Sequence, residues 1–317
     1  MPDTADPTGS RHRPSILVTG ATGNVGREVV NRLVERDARV RCLVRNRPEP
    51  RSDVDWVVGD LTDPTDVREA MVGVDTVFLI WPLLDSGPAC EVVTELAATT
   101  PRVVYLSSTA IDDSASRQSD SIVQVHAEME RLLHHAGLST IVLRSDTLAS
   151  NARGWVAQLS MGDEVSGPDV ARTPVVDERD VADAAVAALL TPNDELDQGL
   201  YLLTGPEALT RADQVAQLGA ALHRPLRFRP LPADLARSRM LADGRPEPLV
   251  EALVSASVHD RRATASLITS SASPADQPAP SPSGPPTMRS SSTDEDCGIP
   301  PHAATNLLDD LHGVSTN

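Results

Sequence analysis

The chain is 317 residues long, room for one large α/β domain or two modest ones, and Lys+Arg 28 against Asp+Glu 45 gives it a formal net charge of -17. Such an excess of carboxylates argues against nucleic acid and anionic membranes as partners. Every cation is an arginine, because no lysine occurs in the sequence; Schiff-base lysines and lysine-dependent phosphate loops are therefore excluded. Cys42, Cys90 and Cys297 are odd in number and far apart, so neither a disulfide framework nor a zinc knuckle is encoded. The first 13 residues are polar and read as a disordered N-terminus. With no apolar run near the ~20 residues a membrane span needs, the expectation is a soluble, cytoplasmic protein.

From Ser15 onward, short β-branched runs alternate with longer amphipathic stretches, the pattern of βαβ units in a doubly wound parallel sheet. Strands are expected at 16–19, 40–44, 56–58, 76–81, 103–107, 140–143 and 201–204, and helices at 25–35, 65–72, 120–135 and 178–190. Pro64 opens the second helix, and Gly137 closes the third. Periodicity weakens from about 145 to 173, where Gly154, Gly162, Gly167 and Pro168 interrupt it, and this stretch is read as an insertion that shapes a pocket. Thr210 and Asp213 look like an N-cap and its acidic N3 partner before Val215, Leu218 and Leu222. The expected organisation is a domain over 14–205, a small and mostly helical C-terminal lobe over 206–261, and a Ser/Pro-rich, disordered tail over 262–317. Between Ser270 and Ser292, 14 of 23 residues are Ser or Pro, too few apolar groups to offset the entropy of ordering.

The strongest motif is Thr19-Gly20-Ala21-Thr22-Gly23-Asn24-Val25-Gly26, a G-x-x-G-x-x-G loop directly after an apolar strand and opening an amphipathic helix. Glycines there let the backbone turn tightly and approach a pyrophosphate, whose charge meets the N–H groups of the helix N-terminus. Gly20, Thr22, Gly23, Asn24, Val25 and Gly26 are accordingly expected to bind a dinucleotide. An NAD-selective site usually carries an acid at the end of the second strand, on the ribose 2′-hydroxyl. Here Arg45-Asn46-Arg47 stands instead, offering cations and a donor to a 2′-phosphate, so NADP(H) is preferred over NAD(H). Asp60 and Leu61 end the third strand where an adenine would lie. Asp60 either orients the base or caps the turn before Pro64.

Taken together, the glycine loop, Gly59-Asp60-Leu61, Val77 to Pro82, Val103 to Ser108, His126-Ala127-Glu128, Asp177 to Ala182 and Tyr201 to Thr210 resemble the NmrA-like branch of the atypical short-chain dehydrogenases/reductases. The resemblance runs from about Pro14 to Glu251. It implies a Rossmann domain binding NAD(P)(H) with a small C-terminal substrate lobe. It further implies that the end of the fourth strand, Ile80, Trp81, Pro82 and Leu83, lines the nicotinamide side, with Ser107 and Ser108 beside it. One departure matters: the wider superfamily protonates a carbonyl with a Tyr-x-x-x-Lys pair, and this chain lacks it. Ile122 stands at the tyrosine position, and Tyr105 and Tyr201 both fall in expected strands. By the same resemblance His126 occupies the place where relatives carry Lys or His, so Ser108 and His126 are the remaining candidates for catalysis, His126 as ribose ligand, as proton donor near an ordinary pKa of ~6.5, or as a helix histidine with no catalytic part.

His126, Glu130 and His134 share one helix face, but ordinary helix-surface pairing explains them better than a metal, and no metal site is expected. The leading expectation is an NADPH-dependent reductase passing hydride to a small quinone, enone, imine or carbonyl acceptor, most of which need little acid catalysis from the protein. The alternative is a non-catalytic NADP(H)-binding sensor, a role the same branch contains. A homodimer suits the fold.

Overall fold

The computed structural model describes residues 13–49, 51–99, 102–118, 120–192 and 199–255. The elements run β1 (Ser15–Thr19), α1 (Asn24–Glu35), β2 (Arg39–Val44), β3 (Asp55–Val58), α2 (Pro64–Ala70), β4 (Thr76–Leu79), α3 (Ala89–Thr99), β5 (Arg102–Ser108), α4 (Ser121–His135), β6 (Ser139–Ser145) and β7 (Thr147–Leu148). After a 3-10 stretch (Ala149–Trp155) come α5 (Val156–Leu159), β8 (Glu164–Pro168), β9 (Thr173–Val176), α6 (Glu178–Leu190), β10 (Leu200–Leu203), β11 (Ala208–Leu209), α7 (Arg211–Ala221), β12 (Arg227–Leu231) and α8 (Ala233–Ala242). Residues 247–255 are also helical. Among the described residues, those within Met1–Ala152 and Pro174–Gly205 form one compact unit, and those within Arg153–Thr173 and Pro206–Asn317 a second.

The first unit holds a seven-stranded parallel sheet in the order β10-β6-β5-β4-β1-β2-β3, the doubly wound Rossmann arrangement. Both faces of its central strands are covered, so those strands read as near-continuous apolar runs. On one face Val25, Val29 and Leu33 of α1 meet Val181, Ala185 and Val186 of α6 over Ile16, Val18 and Phe78. On the other, Val67 of α2, Val92 and Leu96 of α3 and Val125, Met129 and Leu133 of α4 cover Leu17, Val77, Val103 and Tyr105. The helical spacing of each set is what directs one stripe of each helix at the sheet. Helix α3 has no counterpart among the expected helices. Its small and β-branched residues, ACEVVTELAAT, carry a weak stripe that only tertiary contact makes helical.

The stretch expected to be a pocket insertion contributes β8 to a parallel ladder with β12, in register from Glu164↔Arg227 to Pro168↔Leu231. The second unit also holds the short strand β11 and the helices α5, α7 and α8, with Leu231, Ala236, Met240 and Val250 as a small core. Its helix α7 begins with the anticipated capping box, in which Asp213 N–H donates to Thr210 Oγ1 and Thr210 N–H to Asp213 Oδ2. The expected tail over 262–317 lies outside the described residues, as do residues 1–12. Among the described residues no helix is long and apolar enough to cross a membrane.

Candidate functional site

Strand β1 has β4 on one side and β2 on the other, so the chain crosses to opposite ends of the sheet on either side of it, and a crevice opens at the carboxyl ends of the strands. Thr19 holds the two sides in register there: its hydroxyl donates to the Ile80 carbonyl at 2.8 Å and accepts from the Ile80 N–H at 2.8 Å. Immediately after it, Gly20 turns the backbone at φ +61, and a Cβ there would meet Ile80 Cβ at 3.0 Å. The next turn closes with Gly23 N–H donating to Gly20 O at 2.9 Å. Gly26 then packs its Cα so tightly that an added Cβ would lie 2.1 Å from Gly20 O.

The N-terminus of α1 is unlike those of α2, α4, α6 and α7. Those four are closed by Asp63, Asp120, Asp177 and Thr210 side chains, whereas Gly23 caps α1 with no side-chain bond and no acid in the first turn. Unclaimed N–H groups and an uncompensated helix dipole are what an anion requires. A cleft of about 390 Å³ opens over them. From the residues anticipated in the sequence it takes Gly20, Thr22, Gly23, Asn24, Val25, Gly26, Arg45, Asp60, Leu61, Ile80 and Pro82. It also takes Thr19, Ala21, Gly59 and Leu83 from the quoted motifs, and Leu43, Val44, Thr62, Leu106 and Leu148, which were not expected to touch the cofactor.

Arg45, exposed at the end of β2, lies near enough to Asp60 for its charge to be felt there. The Asp60 carboxyl is held below the usual carboxylate range by the Thr62 N–H first, then by the Thr62 hydroxyl, with Arg45 adding to both. Both Thr62 bonds go to Oδ1 at 2.9 Å, so Asp60 builds a turn of its own, while the cap of α2 is Asp63 accepting from Thr65 N–H at 2.8 Å. Asn46 and Arg47 are exposed and stand outside the cleft lining. Arg47 Nη2 donates to the Trp56 carbonyl at 3.3 Å. Trp81 is also outside: its ring is buried and Nε1 donates to the Asp85 carbonyl at 3.0 Å.

Ser107, Ser108 and His126 stand outside the cleft lining, each with partners of its own. Buried Ser107 donates its hydroxyl to Glu130 Oε1, and Glu130 accepts from Arg144 Nε at 3.0 Å and Nη2 at 2.7 Å. Arg144, 7% exposed, continues to Asp113 through Nη1 and Nη2. Ser108 Oγ accepts from Ala110 N–H at 3.2 Å. His126 Nδ1 lies 2.8 Å from the hydroxyl of fully buried Tyr105. Burial pushes His126 below its ordinary value, against upward pulls from Glu130 and Asp120, and burial pushes the Tyr105 hydroxyl up. The phenol and Nδ1 share one hydrogen bond, and burial favours the uncharged imidazole. The shift runs downward from the ordinary value of ~6.5 that a proton-donor role assumes.

One consequence concerns stability. A depressed folded pKa means that the unfolded chain takes up the proton first, so the contribution of His126 is complete above about 6.5 and is lost as pH falls through the lower folded value. The melting temperature of the wild type is expected to fall between pH 7 and 5, and His126→Gln to lose part of that slope. Parallel pH profiles for the two proteins would show that His126 titrates alike in both states.

The glycine loop, the uncapped helix and the strand-end cleft define a dinucleotide-binding Rossmann protein. A family model described as NAD(P)H-binding matches residues 20–192. The chain is 36% identical over 252 residues to (4-alkanoyl-5-oxo-2,5-dihydrofuran-3-yl)methyl phosphate reductase of Streptomyces griseus, covering 78% of this chain and 87% of that one. It is 31% identical over 247 residues to NAD(P)H azoreductase of Xenophilus azovorans, covering 75% and 84%. An NADPH-dependent quinone oxidoreductase from Escherichia coli, solved with NADPH, superposes with a TM-score of 0.64 at 19% identity, covering 78% of this chain and 89% of that one. The chain belongs to the NAD(P)H-binding family of NmrA-like, atypical short-chain dehydrogenases/reductases.

Proposed function

We propose that the protein is an NADPH-dependent reductase of small conjugated acceptors. The observation that carries the reading is the cleft itself, in which an uncapped helix N-terminus, Gly20, Gly23 and Gly26, and the cation of Arg45 line one continuous surface. Bound there, NADPH supplies a hydride. The first turn of α1 receives the pyrophosphate, Arg45 receives the 2′-phosphate by a charge-assisted bond, and Asp60 and Leu61 flank the adenine. Ile80 and Pro82 border the nicotinamide end, where Leu83, Leu106 and Leu148 exclude water and present apolar walls to a flat acceptor.

Without a Tyr-Lys pair, the protein's contribution is orientation and desolvation, and this suits acceptors whose reduced form is stabilised by conjugation. The relatives act on chemistry of that kind, an unsaturated lactone in one case and an azo bond in the other. Ser108, at the end of β5, is the side chain left to hydrogen-bond an acceptor oxygen, and His126 is proposed to hold the ribose through Nε2. The second reading is a non-catalytic NADP(H) sensor acting on a partner protein. It is favoured by Ile122 at the tyrosine position and by Tyr105 and His126 being bonded to one another.

Two experiments test these readings. In the first, NADPH absorbance is followed with a panel of quinones, enones, imines and azo dyes; turnover with at least one class is expected, and tight NADPH binding with no turnover across the panel would give the sensor reading its case. In the second, NADPH and NADH are titrated by fluorescence. Arg45→Ala is expected to weaken NADPH by about tenfold, one charge-assisted contact, and to leave NADH within about twofold. Equal losses for both cofactors would remove the 2′-phosphate assignment.

A further inference from the structure

The second unit carries a pair of arginines that the reductase reading leaves unused. Arg211 opens α7 and Arg245 follows α8, and each is partly buried in a protein of formal net charge -17. The guanidinium of Arg211 lies over the Trp155 ring, 5.8 Å from its centroid, and its Nη1 donates to Gln214 Oε1 at 3.1 Å. Arg245 Nη2 donates to the Gly154 carbonyl at 2.8 Å, next to the same tryptophan. Burial, and after it the positive charge of Arg245, lowers the affinity of Arg211 for its own proton.

Among the described residues neither guanidinium has a carboxylate in ion-pair contact. The nearby acids are engaged elsewhere: Asp213 accepts from Arg172 and Thr210, and Glu247 from Arg237. Bringing two cations together out of water without a counter-charge is unfavourable. Packing does not account for the cost, because stacking on Trp155 and one carbonyl contact would be served by neutral side chains. Each guanidinium has five N–H donors, and the contacts given occupy one of each.

We propose that Arg211 and Arg245, with Trp155 beside them, form a binding site for the phosphate group of a small phosphorylated molecule. Two guanidinium forks match a phosphate's several acceptor oxygens, and the indole gives the organic part a flat apolar neighbour. On the reductase reading, on which this identification of the molecule rests, the phosphate is carried by the acceptor. The anion site itself stands on the arginine pair alone.

The test is a binding experiment that needs no turnover. Inorganic phosphate, phenyl phosphate and benzoate are titrated into the full-length protein by calorimetry and by tryptophan fluorescence, with and without saturating NADP⁺, so that phosphate entering the glycine loop is separated from phosphate entering the second unit. Phenyl phosphate is expected to bind more tightly than inorganic phosphate or benzoate, whether or not NADP⁺ is present. Arg211→Gln and Arg245→Gln are each expected to weaken it about tenfold, and Trp155→Phe to remove most of the fluorescence change. Far-UV circular dichroism confirms that each variant is folded, and Arg211→Lys, which keeps the charge, is expected to retain part of the affinity. Binding unchanged in both glutamine variants, or displaced by NADP⁺, would overturn the site. Equal affinity for inorganic phosphate and phenyl phosphate would overturn the phosphorylated molecule. An acceptor panel without turnover, alongside phosphate binding that depends on Arg211 and Arg245, would reject the reductase reading and leave the site standing.

Discussion

Gly26→Ala is expected to raise the dissociation constant for NADPH by at least ~100-fold, about 2.7 kcal/mol. The Cβ would sit 2.1 Å from Gly20 O, 2.8 Å from Gly20 C and 2.9 Å from Ala21 Cα. All three are backbone atoms, so no side chain can swing away, and relief comes only from moving α1 off the loop. That movement carries the first-turn N–H groups away from the pyrophosphate and loosens Val25 and Val29 from the sheet, so a lower melting temperature is expected as well. Gly162→Ala is the matched control, since nothing lies within 4 Å of its Cβ position. Fluorescence titration and thermal unfolding of the two variants read both effects. Wild-type affinity in Gly26→Ala would mean that the loop does not hold the cofactor.

Arg144→Met is expected to cost about 3 kcal/mol of stability, the low end for a buried ion pair broken on one side. Arg144 and Glu130 are 7% and 15% exposed, whereas Asp113 is 74% exposed, so the Glu130 half carries the effect and the Asp113 half contributes little. Removing the guanidinium leaves a buried carboxylate with only the Ser107 hydroxyl, beneath the end of β5. Arg144→Met combined with Glu130→Leu is expected to recover a substantial part of the loss, because the uncompensated charge is then gone. Urea denaturation measures both, and a loss below about 0.5 kcal/mol in the single variant would show that water reaches Glu130. The same cluster fixes the segment holding Ser108, so its loss is also expected to blunt any turnover.

The parts of this molecule legible in its sequence are those whose signal is local. The glycine loop could be read because strand, turn and helix fall within a few residues of one another, and the position of Arg45 follows from counting to the end of the next strand. The apolar walls of the cleft at Leu43, Val44, Leu106 and Leu148 could not be told from core residues, since lining and core share one chemistry. The Glu130–Arg144–Asp113 cluster joins α4, β6 and the loop after β5, and acids on a helix or loop look like ordinary surface. A signal was nonetheless present: Arg144 interrupts the apolar run Ile141 to Leu143 of a central strand, where a cation needs a buried partner. Trp81, placed on the nicotinamide side by the resemblance, has its ring buried outside the cleft lining, which its neighbours Ile80, Pro82 and Leu83 join.

The most direct test of the account is a single-turnover measurement. Protein in excess over NADPH is mixed rapidly with a quinone or an enone, and the nicotinamide absorbance is followed. The predicted result is a decay whose rate saturates with acceptor, is slower for NADH at equal concentration, and vanishes in Gly26→Ala. An unchanged absorbance with every acceptor, or the same decay in Gly26→Ala as in the wild type, would contradict it.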